Sequence, residues 1–114
     1  MRIRYNPRFD ERLESVEAYI LEKYGPSAVK DFDVRILKTC HLLGMFPNMG
    51  KPLLEPESGM SSDFKILVSG LHVIIYCVNE DYVEIISLLD TRTKELSALR
   101  EMVQSLEDSG KTNQ

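Results

Sequence analysis

The sequence is poor in features that mark several protein classes. Its 114 residues include only two cysteines, Cys40 and Cys77, each within an apolar segment, whereas a disulfide framework or a metal cluster needs more thiols at shorter spacing. We therefore predict two buried free thiols, no metal site and no cofactor. No apolar run is long enough to span a membrane, and the first residues lack the apolar stretch of a secretory signal. These absences predict a cytoplasmic protein without a membrane partner.

Basic residues are fewer than acidic ones. The chain has 14 lysines and arginines against 18 aspartates and glutamates, so its net charge is −4. A protein that grips a nucleic-acid backbone usually carries a net basic face, so the overall balance leans away from that function without excluding a local basic patch. The hydrophobic content of 43% suffices for one core. With no internal repeat or linker, we predict one domain over residues 1–107 and a polar, disordered tail over 108–114.

Hydrophobic periodicity divides the chain into a strand, two helices, three strands and a final helix. Asn6-Pro7 marks a helix start, because asparagine caps the first turn and proline suits its first position. Gly25-Pro26 separates the two helices, and connections this short make both the helices and the later strands antiparallel neighbours. The predicted elements are a strand at 3–5, helices over 7–24 and 29–43 (the second ended by Gly44), a loop over 46–62, strands over 64–68, 71–78 and 82–89, and a helix over 94–106.

The strand over 71–78 is almost entirely apolar, which is typical of a central strand covered on both faces. Tyr76 within it is predicted to belong to the core, and His41 to the boundary of the second helix's apolar stripe. The element order β-α-α-β-β-β-α predicts an α+β fold in which a helix hairpin packs on a mostly antiparallel, twisted sheet.

Four local sequences, in this order, resemble the RelE/ParE toxin family over roughly residues 3 to 94. The segment after the second helix, Met45-Phe46-Pro47-Asn48-Met49-Gly50-Lys51-Pro52, is similar to the family's L-x-x-F-P-x-x-G-x-P turn and is the most specific of the four. The others are Val16-Glu17-Ala18-Tyr19-Ile20 in the first helix, the hairpin Ser69-Gly70-Leu71-His72-Val73-Ile74-Ile75-Tyr76, and the strand Val83-Glu84-Ile85-Ile86-Ser87-Leu88-Leu89. The resemblance implies a RelE/ParE-like fold.

The same resemblance implies a bacterial toxin of a type II, plasmid-stabilisation type toxin–antitoxin system, which inhibits growth and is silenced by a cognate antitoxin. Three hypotheses follow for its action. The first is a non-enzymatic ParE-like poison of DNA gyrase and replication, which the residues favour. The second is a RelE-like, metal-independent endonuclease that cuts mRNA on the ribosome. The third is a degenerate toxin that retains only antitoxin binding. The sequence leaves open whether the protein is an enzyme.

For the nuclease hypothesis, the resemblance implies cations that neutralise the scissile phosphate and a group that moves protons. The matching positions hold Lys65 before the hairpin and Arg92 after the last strand, and His72 is the candidate proton carrier, which strand alternation could place on the open sheet face. Two departures count against this reading. Lys65 replaces an arginine and lacks its forked contact, and Asp90 replaces a histidine and would repel a phosphate. The alternative interpretation is that Lys65 and Arg92 are solvated surface charges and that Asp90 caps the final helix.

For partner binding, the resemblance implies an antitoxin that threads a helix or strand across the sheet and the hairpin groove. Such binding needs an exposed apolar groove rimmed by charge. The final predicted helix has an apolar face that either fills this groove or enlarges the partner surface. The candidate target- or antitoxin-binding residues are Lys51, Lys94, Leu99 and Val103.

Overall fold

The computed structural model describes residues 1–53, 63–92, 97, 98 and 101. Its elements are β1 (Arg2–Tyr5), α1 (Pro7–Tyr24), α2 (Pro26–Met45), β2 (Lys51–Pro52), β3 (Phe64–Ser69), β4 (His72–Val78) and β5 (Tyr82–Asp90). The predicted α+β fold is confirmed, with a helix hairpin on a five-stranded sheet. Neither helix is long and apolar enough to cross a membrane, a finding that covers only the described ranges.

β2 lies inside the predicted loop over 46–62 and was missed, because two residues that include a proline show no alternation. The predicted final helix, with Lys94, Leu99 and Val103, and the predicted tail lie outside the described residues. Within that helix only positions 97 and 98 and position 101 are described, and all three are helical.

The strand order in the sheet is β1-β5-β4-β3-β2. β1 runs parallel to β5, with Ile3 opposite Val83, and every other pair is antiparallel. A parallel pairing needs a long connection, and the chain between β1 and β5 includes both helices and the strands β2, β3 and β4. β5 carries one extra residue where the register shifts: Ile75 pairs with Ser87, but Tyr76 pairs with Ile85. The extra residue of this β-bulge, Ile86, lies in the middle of β5.

α1 begins where the sequence predicts, whereas α2 begins at Pro26, three residues before the predicted bound of 29. The Asn6 side chain accepts a hydrogen bond from the Arg8 N–H at 2.9 Å, and Pro7 is the first helical residue. Gly25 ends α1 with φ at 90°, a conformation that suits glycine, and donates its N–H to the Leu21 carbonyl at 3.1 Å.

The predicted role of Gly44 was wrong, since α2 continues through Met45. Gly44 is instead buried where α2 crosses β1. A Cβ at this position would lie 2.9 Å from the Met1 carbonyl oxygen and 3.1 Å from Ile3 Cδ1. Glycine is therefore needed here for the close approach of the helix to the strand.

The sheet buries side chains on both faces. On the helix side, Ile74 and Tyr76 of β4 pack with residues of both helices and of β5, and on the opposite side Val73 and Ile75 pack with Leu53 and strand residues. β4 therefore contributes to two clusters, which confirms the predicted central strand. The helix-side cluster comprises Phe9, Phe32, Ile36, Cys40, Leu43, Ile74, Tyr76, Val83, Ile85 and Leu88.

The two cysteines are both free thiols, but their environments differ. Cys40 is fully buried in the helix-side cluster, where burial raises its pKa to about 12, so that it stays protonated at neutral pH. Cys77 is only partly buried, contrary to the prediction of two buried thiols. Cys77 lies near the end of β4, where it pairs with Glu84 of β5.

Two carboxyl groups meet between α1 and α2. A hydrogen bond to the Asp33 side chain, together with burial and the nearby charges of Asp33 and Glu14, raises the pKa of Glu17 to about 7. One oxygen of Asp33, Oδ1, is buried and lacks a hydrogen-bond partner among the described residues. We infer that Glu17 holds a proton near neutral pH and donates it to Asp33 across the hairpin.

This pair makes stability depend on pH. Because the pKa of Glu17 is about 7 in the folded protein against a model value of 4.5, the folded state holds a proton that the unfolded chain releases. The stabilisation is complete below about pH 4.5 and is lost as the pH rises through 7. Thermal unfolding at pH 5 and pH 8 should show a larger fall in Tm for the wild type than for Glu17→Gln. Glu22→Gln, at an exposed position of α1, is the control, and equal slopes for all three proteins would contradict the shared proton.

Candidate binding groove

A groove of about 610 Å³ opens between the helix hairpin and the end of the sheet where β5 finishes. The turn between β3 and β4 closes one side of it. Its apolar lining residues come from three places in the chain: Val16, Tyr19, Ile20 and Tyr24 of α1, Phe32 of α2, and Leu71 of the turn. Tyr19, Tyr24 and Leu71 are all at least half exposed. A volume of this size and an aromatic lining suit the side chains of a bound segment.

Charged residues surround this apolar lining. Arg12, Arg35 and Arg92 line the groove together with Asp31 and Asp90. The arginines come from three different elements, namely α1, α2 and the residues after β5. Among the described residues, the rim therefore carries one more positive than negative charge, in a chain whose net charge is −4.

Two of the arginines also contact neighbouring elements. Arg12 donates from Nε to the Leu88 carbonyl at 3.1 Å, which ties α1 to β5. The guanidinium carbon of Arg35 lies 5.6 Å from the centre of the Phe32 ring. It also lies 3.1 Å from the point that a Cβ of Gly70 would occupy. Gly70, with φ at 62°, thus supplies both the left-handed turn and the space for Arg35.

An aspartate–arginine pair occupies the end of β5. Arg92 donates from Nε to Asp90 Oδ1 at 3.0 Å and from Nη2 to Oδ2 at 2.7 Å, and its backbone N–H donates to Oδ1 at 2.7 Å. These hydrogen bonds hold the pKa of Asp90 at about 2. Asp90 is therefore ionised at neutral pH, and its charge is matched by Arg92. The backbone contact is the local one expected of a capping aspartate.

His72, the first residue of β4, lies next to this aspartate–arginine pair. It is 8% exposed, sits opposite Asp90 in the strand register, and meets the Phe32 ring edge-on at 5.1 Å. Its Nδ1 is buried without a hydrogen-bond partner among the described residues. Burial lowers the pKa of His72, with Asp90 acting in the opposite direction and Arg35 and Arg92 adding to the decrease. The imidazole is therefore neutral at pH 7.

The expectation that alternation would turn His72 to the open sheet face was wrong. His72 shares the helix-side face with Ile74 and Tyr76. Alternation shows which residues share a face, but it does not show which face meets the helices when both faces of the strand are apolar.

The remaining candidates divide between two ends of the sheet. His72 and Arg92 both line the groove. Lys65 instead pairs with Tyr76, four residues along β4 from His72 and thus about 13 Å away. Lys51 is exposed and pairs with Ile66 of β3, next to Lys65. The structure therefore does not bring Lys65 and Arg92 into one site.

Sequence reasoning missed the groove residues on the helices. Arg12, Val16 and Tyr19 recur at helical spacing and so share one face of α1. The sequence signal for this part of the groove was an apolar residue, Val16, with Arg12 and Tyr19 about one helical turn to either side. Tyr24, at the end of α1, also lines the groove, and its side chain is 70% exposed there. Across the described ranges, no group of three or more histidine, cysteine or acidic residues could hold a metal.

A helix hairpin on a mixed five-stranded sheet, with a groove at one end, defines a RelE/ParE-like toxin fold. The chain belongs to the ParE toxin family: the model of the ParE toxin of type II toxin-antitoxin system, parDE, matches residues 3–95. The resemblance drawn from the sequence over nearly the same residues is confirmed. The protein is thus a ParE-type toxin of a type II toxin–antitoxin system.

Structural similarity agrees with this membership. A solved chain of the chromosomal ParDE toxin–antitoxin system from P. aeruginosa superposes with a TM-score of 0.67 at 10% sequence identity. The match covers 81% of this chain and 97% of that one. At so low an identity it shows a shared fold. No curated protein matches the chain significantly.

The buried position of His72 leads to a measurable titration. Because burial outweighs the attraction of Asp90, the pKa of His72 should lie below 6.5, and Asp90→Asn should lower it further by removing the one nearby charge that raises it. Imidazole NMR resonances followed against pH measure both values, with the exposed His41 giving a separate signal. A pKa of His72 above 6.5, or one that rises in Asp90→Asn, would show that this account of the site is incorrect.

Proposed function

We propose that the groove receives an amphipathic segment of a cognate antitoxin, and that the free toxin acts on DNA gyrase as a non-enzymatic inhibitor of replication. The observation that carries the first part is the groove itself, with its aromatic walls and three arginines on its rim. Tyrosine and arginine are among the residue types that contribute most strongly to protein interfaces. An incoming segment with apolar side chains on one face and carboxylates beside them would satisfy both features.

The charges in the groove favour binding over phosphodiester cleavage. Arg92 already makes a two-point contact with Asp90, which keeps a negative charge at the site. His72 is buried and neutral, and Lys65 lies at the other end of the sheet. An mRNA endonuclease would need a cationic cluster around the phosphate together with a tuned proton carrier. A gyrase inhibitor of the ParE kind needs neither.

Gyrase inhibition is tested with purified components. The purified chain, titrated into DNA gyrase, ATP and relaxed plasmid, should reduce supercoiling in proportion to its concentration. In a bacterium, induction of the chain should arrest growth without codon-phased cuts in translated messages. Mapping of mRNA 5′ ends within minutes of induction measures this.

Each alternative gives a different result in these assays. Codon-phased cuts with unaffected supercoiling would replace the gyrase proposal by the RelE-like ribosome-dependent endonuclease. Normal growth together with normal supercoiling would leave a degenerate toxin that retains only antitoxin binding.

Substitution of Tyr24 tests whether the antitoxin binds in the groove. Fragments of the source genome that restore growth to cells expressing the chain would identify the antitoxin, whose affinity for the purified toxin is then measured by titration calorimetry. Tyr24→Asp should weaken binding by about tenfold or more, because loss of an aromatic hot-spot contact costs about 2 kcal/mol or more. The matched control is Leu21→Asp, since Leu21 is 52% exposed on the same helix but does not line the groove. Equal losses for the two variants would place the antitoxin elsewhere.

A further inference from the structure

A second apolar surface lies on the outer side of α2, away from the groove. We call it the α2 ridge: Val34, Leu37 and Met45 of the helix, and Phe46 and Met49 of the turn that follows. Their exposed fractions are 57%, 49%, 61%, 56% and 42%. The helical members, with His41 between them, recur at spacings of three and four residues, so they share one face. Large apolar side chains grouped in this way mark a contact surface more often than isolated ones do.

The ridge and the groove use different faces of the same helix. Arg35, Phe32 and Asp31 line the groove, whereas Val34 and Leu37 point away from the buried residues Phe32 and Ile36 by the helical repeat of about 100° per residue. The groove is concave and suits an inserted segment. The ridge is exposed along its whole length and suits a pocket in a partner.

The turn at the end of the ridge is held firmly by the core. The hydroxyl of Tyr76, a fully buried residue, donates to the Pro47 carbonyl at 2.9 Å and accepts from the Gly50 N–H at 2.8 Å. A Cβ at Gly50 would lie 2.5 Å from the Ile66 carbonyl oxygen, so only glycine fits there. The backbone of the turn is therefore anchored while Phe46 and Met49 face solvent. A preorganised apolar contact of this kind loses little conformational entropy on binding.

Charge indicates what kind of partner the ridge fits. Residues 34–53 contain no aspartate or glutamate, whereas Lys38 lies next to Leu37 on α2 and Lys51 follows Met49 closely in the chain, whose net charge is −4. A complementary surface has an apolar pocket bordered by carboxylates. A protein fits this description better than a nucleic acid, because two cations provide few phosphate contacts and five large apolar side chains would gain nothing from a charged backbone.

We propose that the α2 ridge is the surface through which this toxin engages its target protein, at an apolar pocket bordered by carboxylates, and that it acts independently of the antitoxin groove. This inference rests on the proposed function, because it requires the chain to have a cellular target. The groove already accounts for one amphipathic partner segment. The ridge lies on another face of α2 and can therefore bind a second partner.

The test compares Leu37→Glu and Phe46→Ser with Leu21→Glu, whose position on α1 is exposed to a similar extent and lies outside both surfaces. All three purified variants should unfold at the wild-type temperature. The two ridge variants should need at least tenfold more protein for half-inhibition of gyrase supercoiling, and they should no longer arrest growth. Leu21→Glu should behave like the wild type in both assays. Lys38→Glu should weaken inhibition in the same direction.

The outcomes separate the two proposals. If the wild type arrests growth but leaves gyrase unaffected, and the ridge variants fail to arrest growth, then gyrase is the wrong target and the ridge assignment stands. If the ridge variants arrest growth as the wild type does, the ridge assignment is overturned. It is also overturned if these variants lose antitoxin binding, or if light scattering shows that they convert a wild-type dimer to a monomer. A wild type that has no effect on growth would remove both proposals.

Discussion

The hydroxyl of Tyr76 connects the core of this protein to its surface. The ring is fully buried in the helix-side cluster, and the hydroxyl holds both ends of the turn between Pro47 and Gly50. Loss of one buried hydrogen-bond partner commonly costs about 1–3 kcal/mol, so the turn is coupled to the core. That coupling holds the backbone between α2 and β2, from which Phe46 and Met49 reach solvent.

Helix α2 serves three surfaces at once. Phe32 and Ile36 pack in the core, Arg35 lies over Phe32 at the groove, and Leu37 is exposed on the ridge. Because successive residues are rotated by about 100°, neighbouring positions in the sequence face different partners. A substitution at one position therefore need not disturb its neighbours' surfaces, although all three share one backbone.

Charge is distributed unevenly on an acidic chain. Asp90 and Arg92 neutralise each other at the end of β5, and the burial of His72 keeps that residue uncharged. What remains at the groove is a small excess of arginine. At the ridge, cations occur without any acidic residue from 34 to 53. Both surfaces thus favour acidic partners, whereas the protein as a whole would repel them at long range.

The sequence by itself determined the helices, the three long strands and the family, because these depend on signals within a few residues. Asparagine and proline start α1, glycine and proline separate the helices, and turn residues delimit the hairpins. The tertiary structure alone decided the parallel pairing of β1 with β5, the short strand β2, the face occupied by His72 and the groove. Each of these joins residues far apart in the chain, and local propensity carries no information about which distant surfaces meet.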